Sequence, residues 1–303
     1  MSENAASSAK FRYALVTPAR NEATFIEMTI RSVLAQTAPP VKWVIVSDGS
    51  TDGTDQIVAR YLAQHPYLDL AHATGAGRRS LGSQIAAFRF GYNRLRGSAF
   101  DFVGKLDADV SFEPDYFERL LERFAANPRL GIGGGTIHEP VAGQFRMRPS
   151  NRRRSVPGPI QLLRRECYES IGGFLELPYG GADGIAEVMA RMKGWEVESF
   201  FDLPVRHHRP MGTAERGPVS ACLFRGLKDY SVGNHPLYEA LKCLRRWREP
   251  PVLLSVILRA CGYGWGWVRR TRRGVPPEVM AYQRAEQLRR LRGRVGREEG
   301  DDD

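Results

Sequence analysis

Short apolar runs alternate with amphipathic stretches over the first hundred positions. "YALVTPA" (13–19), "KWVIVSD" (42–48), "LDLAHA" (68–73) and "FDFVGKLD" (100–107) are rich in β-branched and aromatic residues and are closed by polar turns, which predicts four strands. Between them "EATFIEMTIRSVLAQT" places Phe25, Met28, Ile30, Val33 and Leu34 near helical spacing. "DQIVARYLAQH" and "SQIAAFRFGYNRLRG" read as helices too, the last closed by Gly97. Strands alternating with helices build βαβ units, so the expected fold class is α/β, a Rossmann-like, mostly parallel sheet with helices on both faces. Beyond about residue 130 the pattern loosens. "LGIGGGTIHEP" (130–140) is Gly-rich, and "NRRRSVPGP" (151–159) reads as a loop with room to move. "QLLRRECYESIGGF" reads as strand, short helix and turn, "GADGIAEVMARMKGW" as a helix, and "EVESFFDLPVRHHRP" as strand.

Composition changes this picture in its last third. The 303 residues suffice for one large domain or two modest ones, and the formal net charge is +10. That excess favours anionic partners. It is concentrated from Pro204 onward, in "LRRWR", "VRRTRR" and "LRRLRGR", so a helical, basic C-terminal extension is expected over 211–295. Within it Pro250 to Arg270 is apolar and Trp-rich, with Arg259 in the middle. Its apolar runs are too short to span a bilayer. Two readings stay open: a packing helix, or a helix in the interface of an anionic membrane, anchored by Trp265 and Trp267. No nucleic-acid recognition motif accompanies the basic runs. The four cysteines lack C-x-x-C spacing and read as free thiols in a reducing, cytoplasmic setting. Residues 1–10 carry no apolar signal core and read as a disordered tail, as do the acidic residues 296–303.

In open α/β sheets ligands sit beyond the carboxyl ends of the strands. Three polar clusters fall there: "TPARNE" (17–22), "SDGSTDGT" (47–54) and "DAD" (107–109). Each alone has a plain explanation as helix caps and turn residues. Asp107 and Asp109, however, project to one side of an extended backbone at a half-buried strand end, where unpaired carboxylates repel and are costly. A divalent cation such as Mn²⁺ or Mg²⁺, bridging them to a substrate diphosphate, resolves that conflict.

The succession "TPARNE", "VSDGSTDGT", "KLDADV", "RRECYESIGGF" and "GADGIAEVMARMKGW" resembles the family 2 glycosyltransferases, which have the A-type glycosyltransferase (GT-A) fold. The resemblance runs from about Tyr13 to His208. It implies a GT-A domain over 11–210, with a nucleotide-binding half at about 11–110 and an acceptor half at about 111–210. By the match, Thr17, Pro18, Arg20, Asn21 and Glu22 line the nucleotide pocket. Asp48 accepts a hydrogen bond from the base, Asp107 and Ala108 lie at the ribose and metal, and Asp109 binds the metal. Asp183 is the general base, with Ala182 where the family commonly has Glu, and Glu187 is the alternative base. His208 is the expected further metal ligand, although of the adjacent His207 and His208 only one can face inward from a strand. Arg209, and Arg78 with Arg79, are candidates to meet phosphate.

The implied activity is an inverting, metal-dependent transfer from a nucleotide-diphosphate sugar, UDP favoured. The acceptor would be a glycan or lipid-linked molecule of envelope or exopolysaccharide synthesis. A sugar nucleotidyltransferase would need a basic, Gly-rich phosphate loop near the N-terminus, which "TPARNE" does not supply. A non-catalytic nucleotide-sugar-binding protein of the same fold is the alternative, suggested by Ala182.

Overall fold

The computed structural model describes residues 11–73, 81–209, 217–245, 252 and 254–295. The four expected strands form as β1 (Tyr13–Ala19), β2 (Lys42–Ser47), β3 (Leu68–His72) and β4 (Phe102–Leu106), with α1 (Ile26–Leu34), α2 (Thr54–Leu62) and α3 (Leu81–Arg94) between them. Strand alternation divides the apolar side chains into two cores. Ala14, Val16, Val44 and Val46 pack with Ile85 and Phe88 of α3 on one face. Tyr13, Leu15, Trp43 and Ile45 pack with Ile26 and Ile30 of α1 on the other. Helices therefore cover both faces, as expected for buried parallel strands. β1 pairs in parallel with β2 and β4, and β2 with β3. Their carboxyl ends, which carry the three polar clusters, share one edge.

The second half of the sheet is mixed. After β5 (Val110–Phe112) and α4 (Tyr116–Ala126) come β6 (Leu130–Val141), β7 (Gln144–Met147), β8 (Ile160–Arg164), α5 (Arg165–Ser170), α6 (Ala182–Met192) and β9 (Glu196–His207). The strand order is β3-β2-β1-β4-β8-β6-β9-β5, with β7 paired to β6. β8 runs antiparallel to both β4 and β6, while β6 and β9 are parallel. The Gly-rich segment at 130–140 is a long strand rather than a loosened one. Its glycines answer close packing, since a side chain at Gly135 would strike the backbone carbonyl of Leu203 on β9. The loop at 151–159 is tethered rather than free. Asn151 exchanges hydrogen bonds with the Ile137 backbone, Ser199 N donates to Arg153 O at 2.7 Å, and Val156 is buried.

The C-terminal region forms α7 (Pro218–Ser231), α8 (Pro236–Arg245), α9 (Leu254–Val268) and α10 (Pro277–Val295). Helix α10 packs against α6 and so ties this region to the sheet domain. The polarity of α9 is reversed. It buries Ser255, Arg259, Gly262 and Gly266, and turns Leu254, Ile257, Cys261, Trp265 and Val268 outward. The cause is the crossing with α7: a Cβ on Gly226 would meet the Arg259 carbonyl, and one on Gly262 would meet the Leu223 carbonyl. Only small residues permit so close an approach, so the large apolar ones are left outside. Helix α8 repeats the arrangement, with Glu239 and Cys243 buried and Leu237, Leu241 and Leu244 exposed. Among the described residues no helix is long and apolar enough to cross a membrane. Both tails, Arg78 and Arg79, and part of the "LRRWR" run lie outside the described residues.

Candidate active site

The end of β4 carries the densest charge in the domain. Lys105 points along the strand into the protein, 3% exposed. Its Nζ donates to Asp107 Oδ1 at 2.8 Å and to the Gly158 carbonyl at 2.7 Å. Gln84 of α3 donates to the same Asp107 oxygen at 2.9 Å. Burial pushes the Asp107 carboxyl above its ordinary value, and the charge of Asp109 adds to this, against the pull of Lys105. Burial opposes the Lys105 charge, but Asp107, Asp183 and Asp109 together hold its pKa above the ordinary lysine value. Ala108, between the two aspartates, is buried.

Asp109 faces the other side of the site. His207 Nε2 lies 3.3 Å from its Oδ1 and Arg209 Nε 3.7 Å from its Oδ2. Arg209 also pairs with Glu22, while His207 Nδ1 is 3.5 Å from Glu139, which pairs with Arg148 at 2.6 Å. The line Arg148–Glu139–His207–Asp109–Arg209–Glu22 alternates sign at every step and links β6, β9 and the loop after β1. Desolvation disfavours a charged His207. The hydrogen bond to Asp109 and the fields of Asp109 and Asp107 outweigh it and hold the pKa above the usual histidine value. The expected ligand was His208. It is His207 that turns toward Asp109, while His208 Nε2 sits 2.8 Å from Ser111 Oγ and its ring lies near those of Phe25 and Phe145. Adjacent residues on β9 face opposite sides, and β5 pairing fixes which is which.

The residues expected to line the nucleotide pocket divide by role. Thr17 and Pro18 are buried in β1, and the Thr17 hydroxyl accepts the Trp43 indole N–H at 3.0 Å. Their buried side chains form the floor of this strand end. Asn21, in the left-handed region at φ 54°, accepts a hydrogen bond from Thr51 N at 2.8 Å. Asp52 accepts from Ala23 N at 3.0 Å and Thr54 N at 3.1 Å. These two side chains tie the first loop to the second. Arg20 and Asp48 stand at the mouth between them, with Arg20 Nη1 3.6 Å from Asp48 Oδ2.

Asp183 is the second residue of helix α6, which follows Gly180 and Gly181, both at positive φ. Its carboxylate packs on Gly158, where any Cβ would overlap it. Gly158 is the residue whose carbonyl Lys105 holds, so Asp107 and Asp183 meet across one lysine and one glycine. Glu187 sits one turn on and is buried. It accepts from Val156 N at 2.8 Å and Ser155 Oγ at 3.3 Å. This fixes the 155–158 loop under Asp183. Ala182 is part of the apolar core, so no second acid is displaced there.

Residues 14–175 match the family model described as glycosyl transferase family 2. The chain belongs to that family. Among its relatives are the poly-beta-1,6-N-acetyl-D-glucosamine synthase of Staphylococcus epidermidis, 27% identical over 52% of this chain and 32% of that protein, and the succinoglycan biosynthesis protein ExoA of Rhizobium meliloti, 25% identical over 54% and 52%. The chondroitin synthase of Pasteurella multocida is 29% identical over 37% of this chain and 11% of its own length. The chain thus spans from a tenth to about half of these curated relatives. In fold it is similar to the mannosyltransferase PcManGT from Pyrobaculum calidifontis in complex with GDP-Man and Mn²⁺, with TM-score 0.55 and 19% identity over 95% of this chain and 81% of that one. S. aureus TarS in complex with UDP-GlcNAc gives TM-score 0.54 and 16% identity over 94% and 92%. The architecture is the A-type glycosyltransferase fold.

For this family 2 chain the donor chemistry at β4 suits a hard divalent cation. Asp107 and Asp109 supply carboxylate oxygens, and an acid raised by desolvation and by a neighbouring carboxylate gains from added positive charge. Among the described residues no cluster of three or more His, Cys, Asp or Glu is arranged around one point. A cation held here would take its remaining oxygens from the substrate's phosphates. Lys105, Gln84 and Glu139 were not singled out from sequence. Only Lys105, two residues before Asp107 on a strand and hence on its side, carried a readable signal.

Glu187 gives the site a measurable pH signature. Burial lifts its pKa from 4.5 to about 8. The folded state therefore keeps a proton that the unfolded chain releases, so the stabilisation is full below about 4.5 and is lost as pH rises through about 8. Glu187→Gln keeps the acceptor for Val156 N and removes the titration. The stability of wild type relative to this variant should fall with rising pH across that window, by up to about 1.4 kcal/mol per unit. Urea denaturation at a series of pH values checks it, and a pH-independent difference would contradict it.

Proposed function

We propose that the chain is an inverting, divalent-metal-dependent glycosyltransferase that uses a UDP-sugar donor and a glycan or lipid-linked acceptor. The reading is supported most by one observation: Asp107 and Asp183 converge on Lys105 and Gly158 at the strand ends of a family 2 domain. The base would lie at the Arg20–Asp48 mouth, where Asp48 can accept an imino N–H. Asp107 and Asp109 would hold Mn²⁺ or Mg²⁺ with the diphosphate. When bound, the cation offsets the negative charge that builds on the leaving diphosphate.

The chain's own groups do the rest. Asp183 accepts the proton of the acceptor hydroxyl as that oxygen bonds to the anomeric carbon. The carbon's bond to the diphosphate oxygen breaks in the same displacement, nucleoside diphosphate leaves, and the anomeric configuration inverts. Arg209, shared between Asp109 and Glu22, is placed to turn toward phosphate oxygens. Lys105 fixes Asp107 from below, and Glu187 fixes the loop that carries Gly158. A binding-only role needs a missing acid at 182, but that position is core and Asp183 is in place.

We place the protein on an anionic membrane face, with α8 and α9 as the contact. The outward faces of both helices are apolar, Trp265 and Trp267 are 54% and 65% exposed, and arginines follow at 269, 270, 272 and 273. Arg269 stacks over the Trp265 ring, its charge 4.5 Å from the centroid. An aromatic and aliphatic face rimmed by cations matches the acyl and headgroup layers of an acidic bilayer.

Three measurements test these statements. UDP should raise the thermal midpoint only with Mn²⁺ or Mg²⁺, and Asp109→Ala should abolish the shift. Equal stabilisation of both proteins by UDP alone would refute the metal role. Asp183→Asn should keep the nucleotide shift and lower UDP release from UDP-sugars, in the presence of a membrane glycolipid extract, by about 10²–10⁴-fold. Retained turnover would exclude Asp183 as the base. The protein should cosediment with phosphatidylglycerol vesicles, less so with phosphatidylcholine and at high salt, and the Trp265→Ala/Trp267→Ala protein should lose most of that binding. Indifference to headgroup or to the tryptophans would remove the membrane assignment.

A further inference from the structure

A cavity of about 280 Å³ is lined by Asp183 and by neither aspartate of the DAD pair. Its walls come from α6, which supplies Asp183, Glu187 and Arg191, and from the C-terminal helices, which supply Lys228, Tyr238, Gln283 and Arg290. Asp183 is thus shared between two compartments: the charged strand ends and this cavity. The C-terminal helices, which the family match at 14–175 does not reach, complete the second compartment.

Its polar groups are not all spoken for. Asn234 Oδ1 takes the amide N–H groups of Gln283 at 2.7 Å and Gln287 at 2.8 Å. Gln283 is 6% exposed and its Oε1 has no hydrogen-bond partner. A buried amide oxygen without a donor is uncommon and costly. Arg191 and Arg290 are engaged by Glu286 at 2.8 and 3.0 Å. Lys228 is different. It is half-buried, its Cε would lie 3.3 Å from a Cβ at Gly181, and it forms no ion pair among the described residues. A cation held two residues from the proposed base, with no acid of its own, is provision for a negative charge that arrives with a ligand.

We propose that this cavity is the acceptor site and that it takes a terminal sugar bearing an anionic group, the sugar hydroxyl facing Asp183 and the anion paired with Lys228. The inference rests on the glycosyltransferase reading for its chemistry. Tyr238 and the unpaired Gln283 Oε1 are a neutral hydroxyl and acceptor of the kind sugar hydroxyls require, held in place by Asn234 and Gln287, whose own groups are engaged with each other, Glu239 and His235. The volume falls just below that of ligand clefts, which run about 300–1,000 Å³, so it suits a terminal unit rather than a long stretch of polymer. A carboxylate on the sugar and a phosphate ester on it share the chemistry that Lys228 would read.

The test measures two sites in one protein. The thermal midpoint of full-length protein is followed with UDP plus Mn²⁺, which reports the donor side, and separately with glucose, glucuronate and glucose 6-phosphate, which report the cavity. Glucuronate, glucose 6-phosphate or both should bind at least tenfold more tightly than glucose, and which of them does so identifies the source of the charge. Lys228→Met should erase that preference while leaving the UDP–Mn²⁺ shift intact, and Lys228→Arg should restore it. Equal binding of charged and neutral sugars, no binding of any, or a preference that survives Lys228→Met would overturn the proposal. Loss of the UDP–Mn²⁺ response in wild type would instead count against the donor-site reading, so the two failures are separable.

Discussion

The structure turns on the placement of two carboxylates at the end of a buried strand. A β4 that ends in Asp107 and Asp109 concentrates negative charge where water is scarce, and breaking a buried pair costs about 3–5 kcal/mol. The fold answers from both sides. Lys105, on the same face of the strand as Asp107, neutralises it from within the core. His207 and Arg209, brought in by the far end of β9, neutralise Asp109. The antiparallel β5–β9 pairing is what carries those two residues to β4. The mixed half of the sheet is therefore part of the electrostatics of the parallel half.

The same lysine couples the donor end to α6. Its second hydrogen bond holds the Gly158 carbonyl, and Gly158 is the surface on which Asp183 rests. Glu187 grips the same loop at Val156, one turn along the helix. Loop 155–158 is clamped from two directions, and the separation between Asp107 and Asp183 is set by that clamp. Prearranged geometry of this kind lowers the reorganisation needed when substrates bind. It also explains why a Gly-Pro loop that looks free in sequence is fixed in three dimensions.

Much of this was legible in the residues. The apolar runs at 13–19, 42–48, 68–73 and 100–107 became β1 to β4 because period-two and buried-strand patterns are local. The positions of Asp107, Asp109 and Asp183 followed from motif order. What stayed hidden depended on pairing between distant segments. Nothing near His207 or His208 says which faces Asp109, since that is decided by β5–β9 register. The glycines at 133–135 loosen the sequence pattern, and their reason shows only in the packing of Phe124, of Val156 with Ile160, and of Leu203 on β9 against them. Thr17 and Asn21 belong to the motif, yet their side chains serve Trp43 and Thr51, and a motif alone does not separate a floor from a lining.

The reversed polarity of α8 and α9 gains meaning beside the cavity. Helices α7, α8 and α10 and the α7–α8 turn face inward with Lys228, Glu239, Gln283, Gln287 and Asn234, and α8 and α9 face outward with leucines, isoleucine and tryptophans. A helix in a water-soluble bundle would be expected to do the opposite. Polar residues inside and apolar ones outside suit a bundle that holds a hydrophilic head while resting on an apolar layer. An acceptor with a charged sugar on a lipid anchor has those two ends. On the proposed membrane contact and acceptor site, the cavity beside Asp183 and the outward face of α9 would belong to one device, the lipid staying in the bilayer while its sugar reaches the proposed base. The close α7–α9 crossing at Gly226 and Gly262 is the structural condition for both, because it draws small residues inward and leaves the large apolar ones on the outside.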